Sequence, residues 1–166
     1  MIVSKAILIL CLALLTGCVG HYLQPAPEAA HATLNAQWGS NILMSGGTQV
    51  YYGFYDNHCH DTQETGVLGA ISASQPEKNQ FLIKPDRRIY LQAASMGIKN
   101  RNGDEILTHR TCLNISSFIP KNGAMYQVSH SAPKSGCSLE VIDMQTGKAP
   151  DSLVVEEVTK ECGLGD

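Results

Sequence analysis

Phe118-Ile119-Pro120-Lys121-Asn122-Gly123-Ala124-Met125-Tyr126-Gln127-Val128-Ser129-His130-Ser131 is the stretch on which the fold turns. Proline has no backbone N–H to give a ladder, so Pro120 ends one strand. Asn122-Gly123 supplies the positive φ of a tight turn. Tyr126, Val128 and His130 then alternate with polar residues, the period of a strand with one buried face. The segment predicts a hairpin in which Tyr126 returns inward to cover Phe118.

Working outward, the same grammar repeats. Short apolar runs predict strands at Thr48 to Tyr55, Gln80 to Lys84, Arg88 to Ser95, Ile106 to Phe118, Ala124 to Ser131, Ser138 to Met144 and Leu153 to Val158. Val50, Tyr52 and Phe54 are predicted to share one face, as are Ile89, Leu91 and Ala93. Turn chemistry separates the runs at Lys99 to Asp104, Ala132 to Gly136 and Gln145 to Lys148. Val67 to Ala73 fits either period and is stopped by Pro76, which predicts strand or irregular structure there. About seven strands at this spacing give an all-β fold, an antiparallel β-sandwich of Ig-like or transthyretin-like kind.

The N-terminus has a different character. Lys5 precedes an apolar run from Ala6 to Leu15, too short to span a bilayer and suited to a secretory signal. Leu15-Thr16-Gly17-Cys18 then resembles the lipobox of bacterial lipoproteins. That resemblance implies a signal peptide over residues 1–17, cleavage by signal peptidase II after Gly17, a diacylglycerol on the Cys18 thiol and acylation of its amino group. Val19 rather than Asp after the cysteine resembles the outer-membrane sorting pattern. The expected location is therefore the cell envelope, lipid-anchored in the outer membrane and facing the periplasm.

Residues 18–36 contain Pro25 and Pro27 among alanines and predict an extended tether, leaving 37–166 as one folded domain. With Lys5 removed, the basic residues are outnumbered by 15 acidic ones. No basic block marks nucleic acid or anionic headgroups as partners. The lipid is the expected membrane contact, with an envelope protein as the expected further partner.

Four cysteines follow Cys18: Cys59, Cys112, Cys137 and Cys162. An even number in an oxidising compartment predicts two disulfides, with three connectivities open. Cys59 with Cys112 and Cys137 with Cys162 is the favoured pairing, because the second would pin the last strand to the sheet. No close CxxC pair argues for zinc.

The run from Cys112 through Tyr126, followed by Cys137-Ser138-Leu139-Glu140-Val141, resembles small β-sandwich lipoproteins of Gram-negative bacteria. This resemblance implies an envelope lipoprotein and brings no catalytic residue with it. The remaining candidates for chemistry are sparse. His58-Cys59-His60-Asp61 places two histidines on one side of a strand, near Asp61 and Asp56, where they would bind a metal or simply face solvent. His109 and His130 lie on predicted strands, but no nucleophile elbow accompanies them, and His130 reads as a half-buried strand histidine. Asp104-Glu105 and Glu156-Glu157 are adjacent pairs that point apart on a strand or turn. Gly46-Gly47 lacks the Lys-Ser/Thr of a phosphate loop. The expected function is a non-catalytic structural or binding lipoprotein without a cofactor; the alternative is a metal-binding protein or enzyme using His58, His60 and Asp61.

Overall fold

The computed structural model describes residues 20–39, 48–60, 62–72, 79–99, 108–131 and 136–163, with the side chains of 96–99 and 108–111 outside that description. Residues 1–19, which include the expected signal peptide and Cys18, lie outside the described residues, as do Asp61, Gly46-Gly47 and Asp104-Glu105. Every regular element among those described is a strand: β1 Ala32–Trp38, β2 Thr48–Phe54, β3 Gly66–Ser72, β4 Gln80–Ile83, β5 Ile89–Lys99, β6 Thr108–Phe118, β7 Met125–Ser131, β8 Ser138–Asp143 and β9 Val154–Glu156. They form two sheets, β4-β1-β7-β8 and β3-β2-β5-β6-β9. The pairing is antiparallel throughout except for β1 with β7, which run parallel. The chain is thus an all-β sandwich, as its period-two runs predict.

The core lies between the sheets. Leu34, Ile83, Leu91, Phe118, Tyr126, Val128 and Val141 are fully buried there. Phe118 and Tyr126 meet edge-on, ring centroids 5.0 Å apart, so the expected ring contact forms. The hairpin does not: β6 belongs to the five-stranded sheet and β7 to the four-stranded one. The turn instead carries the chain across the sandwich. Tyr126 fastens it by accepting a hydrogen bond from the Lys121 N–H at 3.0 Å, and Gly123 takes φ 72°. A turn of this kind joins sheets when its flanking rings pack across the core rather than side by side.

Two further expectations are corrected, and one face is filled in. Residues 32–36 are no tether, because β1 is an interior strand with Ala32 and Leu34 wholly buried. The chain is already docked at residues 20–24, where Tyr22 N–H donates to the Val67 carbonyl and Val67 N–H donates to the Gly20 carbonyl. On β2, Val50, Tyr52 and Phe54 share one face, the rings of Tyr52 and Phe54 stacked and Phe54 buried, while Gln49, Tyr51 and Gly53 occupy the other, buried throughout. Tyr51 fills the core beside Phe81, and the opposite face of the five-stranded sheet is itself partly covered, since the Gln92 amide there donates to the Cys162 carbonyl at 2.6 Å. With both faces shielded, apolar alternation loses its power to tell inside from outside. Finally, the disulfides join Cys59 to Cys162 and Cys112 to Cys137, not the favoured pairing. Cys162 lies beyond β9, on a tail that folds back over the sheet.

Candidate functional site

Three groupings of polar side chains invite a functional reading. The first is the histidine loop after β2. Residues 55–60 form a turn rather than a strand, and Cys59 adopts φ 55°. Asp56 organises the turn: its carboxylate accepts the N–H of His58 at 2.9 Å and of His60 at 3.3 Å. The His60 ring adds a contact to the same carboxylate at 3.2 Å. Partial burial alone would raise the Asp56 carboxyl, but the N–H groups of His60 and His58, joined by the His60 ring, outweigh it and hold its pKa below the usual range. His58 turns to Glu161 at 3.1 Å, and the His58 hydrogen bond lowers the pKa of that exposed carboxylate. The two rings lie 5.5 Å apart, each committed to a different acid. Among the described residues no three His, Cys, Asp or Glu side chains gather as a metal site requires.

The second grouping has no precursor in the local sequence. His130 is not half-buried but wholly enclosed, at 0 % exposure, and spans the two sheets. Its Nδ1 lies 2.7 Å from the Ser95 hydroxyl of β5 and its Nε2 lies 3.1 Å from Oδ1 of Asn114 on β6. Asn114 donates its amide to the Cys137 carbonyl, which turns Oδ1 toward the imidazole. Nε2 therefore carries the hydrogen, and Nδ1 accepts from Ser95. The Gln49 amide on β2 donates to the His130 carbonyl at 2.6 Å. Burial drives the His130 pKa down to about 4, so the ring is neutral at physiological pH. A serine donating to a neutral histidine held by an amide has the order of a nucleophilic relay. Ser95 is however 0 % exposed, so no substrate reaches it in this conformation. The network ties the sheets together; Ser95, His130 and Asn114 satisfy one another, whereas the buried Gln49 Oε1 beside them has no hydrogen-bond partner among the described residues.

The third is a hollow of about 180 Å³ between Ile119, Lys121, Tyr126, Asp143 and Ser152. The Asp143 carboxylate is occupied in its own turn, accepting N–H groups of Gln145 and Thr146. Of the exposed apolar side chains, Ile119 lines this hollow, while Val154 and Val155, the last 77 % exposed, lie on β9, Met125 on β7 and Met144 just after β8.

The other sequence candidates are scattered. Glu156 is bound to the Ser117 hydroxyl, which also accepts from Arg88 at 2.8 Å, and is not merely solvated. His109 lies on β6, its side chain outside the described residues. No protein family model, no curated protein and no solved structure matches the chain.

Proposed function

We propose that the chain is a lipid-anchored lipoprotein of the bacterial cell envelope, held in the outer membrane through Cys18, and that its sandwich is a non-catalytic structural or binding module for another envelope protein. The observation that carries this reading is the use of cysteine. All four cysteines after Cys18 are closed into two disulfides, the economy of an exported domain. The cysteine left over in the mature chain is the one that ends Leu15-Thr16-Gly17-Cys18. The binding role is supported by apolar side chains that the fold leaves exposed, Ile119 at the hollow and Val154 and Val155 on β9, while its buried imidazole is spent on internal hydrogen bonds.

The test is Cys18→Ser with metabolic palmitate labelling. The variant is expected to lose the label and accumulate as uncleaved precursor; label that persists refutes the anchor. Crosslinking of envelopes through a C-terminal tag identifies the partner.

A further inference from the structure

The order of the strands gives the sandwich two unlike sides. Each sheet begins at one side, with β3 and β4, and ends at the other, with β9 and β8. The β3/β4 side is stapled by the N-terminal residues. His21 pairs with Val67 of β3, the Gln24 amide donates to the Leu68 carbonyl, and the Leu82 N–H of β4 donates to Gln24 Oε1 at 2.7 Å. Tyr22 is buried beneath this strap, its hydroxyl 2.8 Å from that of Tyr55 and accepting the Lys84 N–H. The attachment is built into the backbone. Gly66 holds φ 124°, and the Gly20 carbonyl occupies the place where a Cβ would stand.

Gly20 is two residues from Cys18, and two extended residues reach at most about 7 Å. A lipid on Cys18 therefore cannot be separated from β3 by a flexible spacer. Across the five-stranded sheet, four inter-strand steps of about 4.8 Å place β9 roughly 19 Å from β3. On the stapled side Leu23 is exposed. Its N–H donates to the Glu64 carbonyl, and the Glu64 carboxylate lies 3.1 Å from Lys84 and 3.9 Å from Arg87. The fold thus brings together an apolar side chain and two cations that share one acid, although no basic block exists in the sequence.

We propose that the β3/β4 edge is the membrane-facing side of this protein: Leu23, Lys84 and Arg87 rest on the phospholipid surface, and the β8/β9 edge with Val154 and Val155 points away from it. The proposal rests on the lipid anchor at Cys18. An interfacial leucine flanked by cations suits the boundary between acyl chains and phosphates.

The experiment uses the lipoprotein extracted from membranes, with its intact mass measured first. Placed in phospholipid nanodiscs containing a headgroup-chelated gadolinium lipid, its backbone amides are read by relaxation enhancement. The amides of Leu23, Val67 and Leu82 are expected to be attenuated several-fold more than those of Glu140 and Val155. A ten-residue Gly/Ser insertion between Val19 and Gly20 is expected to abolish that gradient. An unacylated mass would remove the anchor and the proposal with it. Acylated protein with uniform or reversed attenuation would overturn the orientation alone, and a gradient that survives the insertion would overturn the role of the short connection.

Discussion

Lowering the pH from 7 to 4 sets the sharpest demand on this fold, because it asks a wholly enclosed imidazole to take a proton. His130 contacts only neutral partners through its ring, Ser95 and Asn114, and burial lowers its pKa from 6.5 to about 4. In the unfolded chain the same ring titrates near 6.5, so the folded state binds fewer protons over that interval. The associated stability is fully present above pH 6.5, declines as pH falls and is lost once pH passes below 4. At about 1.4 kcal/mol per unit, the difference amounts to roughly 3 kcal/mol, a large share of the 5–15 kcal/mol typical of a domain. The perturbation is His130→Gln, which keeps a polar side chain at the position but cannot titrate. Urea unfolding of the oxidised protein, followed at several pH values between 4 and 7.5, supplies the comparison. The variant is expected to be less stable than wild type at pH 7, where it disturbs the ring's hydrogen bonds to Ser95 and Asn114, and to lose about 3 kcal/mol less than wild type on acidification. Parallel curves for the two proteins would refute the argument, since the acid sensitivity would then arise elsewhere.

Further outcomes follow from the disulfides and the histidine loop. Non-reducing peptide mapping is expected to recover Cys59 linked to Cys162 and Cys112 linked to Cys137; replacing the first pair by serine, which opens a link across 103 residues, should cost roughly 2–5 kcal/mol in denaturant unfolding. His58→Ala with His60→Ala is expected to shift stability by no more than about 0.5 kcal/mol, as exposed positions do, and calorimetric titration of the unaltered protein with zinc should give no stoichiometric micromolar site; such a site, lost in the double variant, would restore the metal reading.

What the sequence carried plainly was strand period and turn chemistry, and these sufficed for β2 and for β4 through β9. β1 escaped because Ala32, Leu34 and Ala36 follow a proline-rich stretch, and alanine has little preference for a strand until tertiary packing imposes one. β3 was ambiguous because its glycines weaken the alternation; Gly69 is there to admit the Phe81 ring, a contact between the two sheets that no local pattern announces. The core side of β2 was hidden for a related reason, for Gln49 looks like a surface residue until its amide is seen on the His130 carbonyl. Ser95, Asn114 and His130 come from three strands, and the Cys59–Cys162 link from a tail that doubles back. Neither leaves a trace in residue spacing.

The parallel pairing of β1 with β7 also fixes an order of events. Thr33 pairs with Met125, so the central strand of one sheet must wait for a partner 92 residues further along the chain. Its other neighbour, β4, arrives earlier but is a four-residue edge strand. Contacts of such long separation fold slowly, since loop closure comes before any compensating burial. A chain that emerges N-terminus first holds Ala32 to Trp38 without most of its strand partners until β7 has followed, and for that interval the apolar face of Ala32, Leu34 and Ala36 is open to other chains and to chaperones.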